Sequence, residues 1–142
     1  MIEFDKEKLS GMKILIVDDT PANLDILGHI LQRSNLNVSF APNGEKALEL
    51  VHQNKPDLIL LDVMMPGIDG YETCKQLKQD DKTKDIPIIF ITAKKETEDI
   101  VQGFKAGGID YVPKPFQQEE ICSRVRTHLE LRALQKNLEE KV

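Results

Sequence analysis

Short, almost unbroken apolar runs alternate along this chain with stretches in which apolar residues recur every three or four positions. A continuous apolar run reads as a strand covered on both faces, and the wider spacing as one side of a helix. Met12 to Val17 opens the series and stops at Asp18-Asp19. Thr20-Pro21 then predicts an N-cap followed by proline at the first helical position, before Leu24, Leu27 and Leu31. Val38 to Phe40 is a second strand, and Asn43 caps a helix carrying Ala47, Leu48 and Val51 that Pro56 closes. Asp57 to Asp62 is the most strand-like run, and a loop from Val63 to Gly70 leads into a helix with Cys74 and Leu77 on one face. Ile86 to Ile91 is a fourth strand, with Pro87 tolerable near its start. Ile100 and Phe104 mark a helix that Gly107-Gly108 ends, Ile109 to Val112 is a fifth strand, and a last helical pattern starts near Gln117.

Strand-then-helix units in series imply right-handed crossovers and a parallel sheet with helices on both faces. The predicted fold class is therefore α/β, a doubly wound five-stranded parallel sheet of flavodoxin-like order with an extended C-terminal helix. Residues 1–11 are expected to form an N-terminal extension, 12–129 the domain, and 130–142 a continuation of the last helix serving as linker or self-association segment.

The chain has 142 residues, 40% of them hydrophobic, which fits one domain with one core. A net charge of -5 argues against direct nucleic-acid binding, which rests on clustered Lys and Arg. No stretch approaches the roughly 20 apolar residues of a membrane span and the N-terminus lacks a signal-peptide pattern, so a soluble, cytoplasmic protein is expected. Cys74 and Cys122 lie far apart inside helical patterns and read as buried free thiols.

Ligands of doubly wound sheets bind at the carboxyl ends of the strands. Those ends deliver Asp18 and Asp19, then Asp62, then Thr92, with Lys114 just after the fifth strand. Three carboxylates against one ammonium leave about two uncompensated negative charges, a repulsion that a divalent cation offsets. Hard oxygen donors without nearby His or Cys favour Mg²⁺, which keeps several waters and recruits phosphate oxygens. The chemistry this points to is phosphoryl transfer onto a carboxylate. Any single aspartate at a strand end is more often a turn or cap residue; the argument rests on their convergence.

At these residues the chain resembles the receiver domains of two-component response regulators, including the chemotaxis type. The resemblance runs from about Met12 to Leu129, through Ile16-Val17-Asp18-Asp19, the run from Leu60 to Gly70, Ile91-Thr92-Ala93, and the run from Ala106 to Phe116. It implies that Asp62 is the phosphoacceptor and that Asp18, Asp19, Asp62 and the backbone carbonyl of Met64 hold Mg²⁺. It further implies that Thr92 and Lys114 bind phosphoryl oxygens, that Thr92 and Tyr111 form the switch, and that Lys114-Pro115 is cis. The donor it implies is a histidine kinase, a phosphotransfer protein or a small acyl phosphate. The chain is then a signalling switch rather than an enzyme with turnover.

A flavin carrier shares the strand order, but Asp18-Asp19 would oppose a phosphate in its first loop. A phosphohydrolase with an aspartate nucleophile resembles a pattern with a second aspartate two residues on, which is missing after the first strand. A receiver-like module that only binds partners is disfavoured because every pocket position is filled. His29, His52 and His128 read as surface histidines with no implied carboxylate partner, Met64 and Met65 as packing, and Lys78 to Asp85 as a solvated helix exit. The distal part of the last helix is expected to leave the domain body. Its Leu131, Leu134 and Leu138 have coiled-coil spacing and support weak, concentration-dependent dimers, with a frayed tail as the alternative. The pattern runs on without a stop signal, so a longer protein with an output domain is expected.

Overall fold

The runs marked as strands pair into one parallel sheet, in a computed structural model that describes residues 9–93 and 97–140. The strands are β1 (Lys13–Val17), β2 (Asn37–Ala41), β3 (Leu58–Asp62), β4 (Ile88–Thr92) and β5 (Asp110–Pro113). They alternate with α1 (Pro21–Gln32), α2 (Gly44–Gln53), α3 (Gly70–Gln79), α4 (Thr97–Ala106) and α5 (Gln118–Glu140). The order across the sheet is β2-β1-β3-β4-β5, the expected doubly wound arrangement. Most of the expected N-terminal extension, together with Lys141 and Val142, lies outside the described residues.

Strand side chains alternate in direction, so each central strand feeds two cores. Ile14, Ile16, Leu58, Leu60, Ile89 and Ile91 face α1 and α5, where Leu27, Leu31, Ile121, Val125 and Leu129 cover them. Leu15, Val17, Ile59, Leu61 and Phe90 face α2, α3 and α4, packing on Ala47, Val51, Cys74, Leu77 and Ala106. Each fully buried Leu or Ile contributes about 1.5–3 kcal/mol, and their concentration in β1, β3 and β4 puts the two cores against the middle of the sheet. Both cysteines are buried and free, and burial pushes the Cys74 thiol up to about 11. Among the described residues no helix is long and apolar enough to cross a membrane.

Two local expectations change and one holds. Thr20 occupies the N-cap position of α1 with Pro21 following, but its side chain makes no capping bond. Asn43 does cap α2, accepting from the Lys46 N–H at 2.8 Å. The run from Lys78 to Asp85 is only partly solvated: Thr83 is buried and donates to the Leu77 carbonyl at 2.6 Å, while the Lys78 ammonium donates to the carbonyls of Lys84 and Ile86. The first bond satisfies a carbonyl in the last turn of α3 and the other two satisfy carbonyls in the segment that follows it, where polar composition alone suggested open solvent.

The largest correction concerns α5, which does not leave the body after Glu130. With 23 residues it outruns the five-residue strands beneath it. Its inner face carries Ile121, Val125 and Leu129 over the apolar sheet, then continues as Arg132 and Lys136. Arg132 is buried, and the Lys136 ammonium pairs with Asp57 at the foot of β3. The inner stripe changes from apolar to cationic where the helix passes the end of the apolar sheet, and a buried carboxylate holds it there. Leu131, Leu134 and Leu138 stay on the outside, 56%, 53% and 60% exposed.

Candidate functional site

Strand register brings the chemistry-bearing residues to one edge. Val17 pairs with Leu61, Asp62 with Ile91, and Thr92 with Pro113, so Asp18, Asp62, Thr92 and Lys114 leave the sheet at one level. One carboxylate oxygen each from Asp18, Asp19 and Asp62 lie within 4.8 Å of one another, a group able to hold a metal ion. Asp18 and Asp62 are buried and Asp19 is exposed, leaving one carboxylate at the mouth of the cluster.

Lys114 answers two of the three charges. Its Nζ lies 3.1 Å from Asp18 Oδ2 and 3.1 Å from Asp62 Oδ2. Asp18 is also fixed by the Thr20 N–H at 2.9 Å and Asn23 Nδ2 at 3.2 Å. Asp62 is poorer in partners, receiving the Met64 N–H besides Lys114. Burial, then the Asp18 charge, push the Asp62 carboxyl up to about 6 against the pull of Lys114. The ammonium itself is held above its usual range: desolvation works against it, and the bonds and charges of Asp18 and Asp62 overcome that.

Local backbone sets how closely Asp62 is embraced. A Cβ on Gly70 would lie 2.2 Å from the Asp62 carbonyl oxygen and 2.8 Å from Val63 Cα, so only glycine lets α3 begin against the backbone that carries the acid. Gly70 N–H donates to the Val63 carbonyl at 2.8 Å and closes the loop. The following Lys114-Pro115 bond is cis, as the resemblance implies. Beside the cluster a cavity of about 660 Å³ opens between Asp19, Met64, Met65, Tyr71 and Gln102. Met65 packs into the core as expected, whereas the Met64 side chain is 61% exposed on this cavity's rim.

Thr92 leads away from the cluster into a row of hydroxyls. Thr92 donates to the Tyr111 hydroxyl and Tyr111 donates to Tyr71. Tyr71 donates to the Asp99 carbonyl at 3.0 Å. Phe90 supports the row, its ring centroid 5.4 Å from that of Tyr71 and 6.5 Å from that of Tyr111. Burial raises both tyrosines above the usual phenol range, so neither ionises near neutrality.

The side chains singled out for the acid pocket, Asp18, Asp19, Asp62, Thr92 and Lys114, thus fall at this edge, with Tyr111 next to Thr92. Asn23 and Tyr71 were missed. Asn23 sits in the first turn of α1 where it meets Asp18, a placement that helical spacing could have revealed; Tyr71 depends on the approach of α3 to α4 and β5, which no local pattern encodes. The histidines are not at the site, but two have carboxylate partners the sequence did not imply. His52 Nε2 meets Asp80 at 3.0 Å and His128 Nε2 meets Asp110 at 3.0 Å.

Comparison with known proteins agrees with the geometry. The response regulator receiver domain family matches residues 14–126. The DNA-binding dual master transcriptional regulator RpaA of Synechocystis is 43% identical over 117 residues, 82% of this chain and 48% of that protein. The alkaline phosphatase synthesis transcriptional regulatory protein PhoP of Bacillus subtilis is 45% identical over 117 residues, again 82% of this chain and 48% of the relative. The chain therefore spans about half the length of these curated relatives. Among solved structures, the chemotaxis protein CheY4 of Vibrio cholerae superposes with a TM-score of 0.79 at 28% identity, covering 83% of this chain and 98% of that one. The chain belongs to the response regulator receiver domains of two-component signal transduction.

Proposed function

We propose that Asp62 is the residue phosphorylated in this receiver domain, with a histidine kinase, a phosphotransfer protein or a small acyl phosphate as donor. The observation that carries the reading is the sharing of Lys114: one ammonium serves two buried carboxylates, and Asp62 is left with its carboxyl raised to about 6. A site with such an anionic excess fits a divalent cation, and its oxygen-only donors fit Mg²⁺. Asp18, Asp19, Asp62 and the Met64 carbonyl are the residues that would hold it. When bound, the ion supplies positive charge against the phosphoryl oxygens.

The step exchanges one bond for another. The bond from phosphorus to the donor's nitrogen or acyl oxygen breaks as one to an Asp62 carboxylate oxygen forms. Lys114 moves from bridging two carboxylates to neutralising a phosphoryl oxygen, and the Thr92 hydroxyl donates to another. Esterification replaces one negative charge with roughly two and adds acceptor oxygens that compete for Thr92. Because Thr92 also donates to Tyr111, that competition is felt along the row to Tyr71 and Asp99, hence at α3, α4 and β5. The domain works as a switch without substrate turnover.

The assigned segments follow from the same reading. Residues 12–129 form the receiver, and 130–142 link it to an output domain such as those of longer relatives. This segment does not itself bind nucleic acid or insert into a membrane, and works in the cytoplasm. The outward stripe of Leu131, Leu134 and Leu138 supports a weak homodimer.

Incubation with acetyl phosphate and Mg²⁺ should add one phosphoryl group per chain by intact mass. Asp62→Asn should abolish the addition, and Asp19→Ala should raise the Mg²⁺ needed by about tenfold or more. Undiminished phosphorylation of Asp62→Asn would place the acceptor elsewhere.

A further inference from the structure

The sheet edge opposite the acid cluster carries a cleft of different chemistry. Where α5 passes the feet of β4 and β5, it closes with the turn after α3 a cavity of about 320 Å³. Lys78, Lys84 and Arg132 line it against the carboxylate of Asp85. His128 also borders it, but its Nε2 is engaged by Asp110 at 3.0 Å. Pro87, Ile109 and Leu131 form an apolar wall, and the last two are exposed.

Arg132 is the residue that the fold does not account for. It is 5% exposed, yet its guanidinium makes one hydrogen bond, from Nη1 to Gln135 Oε1 at 3.2 Å. Its buried Nε has no acceptor, and among the described residues no carboxylate pairs with it. A buried cation is ordinarily paired, because losing its hydration is costly without an anion in exchange. Lys78 cannot relieve it: that ammonium is fixed by two carbonyls, at 2.9 Å and 2.6 Å, and adds a second positive charge nearby. Lys84 is tied only to Asp81 at 3.2 Å, between exposed side chains, a contact that solvent screens and an incoming anion can displace.

We propose that this cleft binds a small phosphate monoester, its dianionic head against Arg132, Lys78 and Lys84 and its organic group on Pro87, Ile109 and Leu131. Once the incoming anion displaces Asp81 from Lys84, three cations over the one lining carboxylate leave an excess that matches the roughly −1.5 to −2 charge of such a head group. The flat guanidinium suits phosphate oxygens through its Nη groups, while the enclosed Nε–H senses the change in its charge environment. The cavity is larger than a bare phosphate ion, and the apolar wall gives the remaining space a use. Arg132 and Leu131 belong to α5 while Lys78 belongs to the last turn of α3, so an occupied cleft fastens the helix extension to the body.

The test uses the full chain with EDTA present, which keeps Mg²⁺ out of the acid cluster, and phenyl phosphate as probe. In ¹H–¹⁵N spectra the Arg132 Nε–H signal should move and saturate. Lys84→Gln, an exposed position that leaves the core intact, should weaken the apparent affinity about two- to fivefold, and Asp85→Asn should strengthen it by a similar factor. Inorganic phosphate should bind more weakly than the phenyl ester. A shift that never saturates, that sodium chloride reproduces at equal ionic strength, or that is unchanged in Lys84→Gln and Asp85→Asn would overturn the proposal. So would shifts centred on Asp18 and Asp62 with Arg132 unmoved.

Discussion

The two ends of β3 each carry a buried aspartate, and the two are treated in opposite ways. Asp57, at the foot, accepts the Lys13 N–H at 2.8 Å and has the Lys136 ammonium to itself. Asp62, at the head, shares Lys114 with Asp18 and is left with its carboxyl pushed up to about 6. Residue type, strand and burial are the same; the ratio of cations to carboxylates differs. A carboxylate with its own cation closes a structural contact, whereas carboxylates outnumbering their cation leave charge that something from outside must balance.

The widest separation between the two ends should appear in metal-free stability. The Asp62 carboxyl is raised from 3.8 to about 6 on folding, so its contribution is intact below pH 4 and is lost as pH rises through 6. Asp62→Asn cannot ionise and escapes that loss. In EDTA it should unfold like the parent chain near pH 4 and be more stable above pH 7, by up to about 3 kcal/mol, in urea titrations. A pH-independent difference would remove the contrast between the two ends.

At the foot the sign should reverse. Asp57→Ala leaves the Lys13 N–H and the Lys136 ammonium without their acceptor and should cost about 1–3 kcal/mol at neutral pH. Lys136→Ala should cost less, about 0–1 kcal/mol, since that ammonium reaches solvent. Circular dichroism should also report loss of helix at the end of α5 in Asp57→Ala. Unchanged helicity there would mean that the pair does not hold the extension.

A smaller effect is expected beyond Thr92. Tyr71→Phe removes the hydroxyl that accepts from Tyr111 and donates to Asp99, and should cost about 0.5–1.5 kcal/mol while leaving Asp62 able to take phosphate. Its signature is a reduced response of the Tyr111 ring signals to phosphorylation. An undiminished response would confine the coupling to Thr92 and Tyr111.

These two ends also separate what local pattern reveals from what it hides. β1, β3 and β4 announce themselves as apolar runs because both sheet faces are covered, and Asp18, Asp62 and Thr92 are legible because each interrupts or ends such a run. Lys114 follows the last strand in the same way. The foot was not legible: Lys136 and Asp57 are 79 residues apart, and leucines on the outer side of α5 suggested a helix departing into solvent. Periodicity reports which side of a helix is apolar, but not that the other side carries a lysine that pairs with a buried acid. Tyr71 was hidden for the same reason, because its neighbours arrive from α4 and β5.

The row of hydroxyls leading from Thr92 has an optical consequence. The chain contains two tyrosines and no tryptophan, and both tyrosines stand in that row. All of the chain's tyrosine emission, and nearly all of its absorbance at 280 nm, therefore originates within that row. Unlabelled fluorescence of the native chain is a direct spectroscopic readout of that region, with no emission from elsewhere in the fold to subtract.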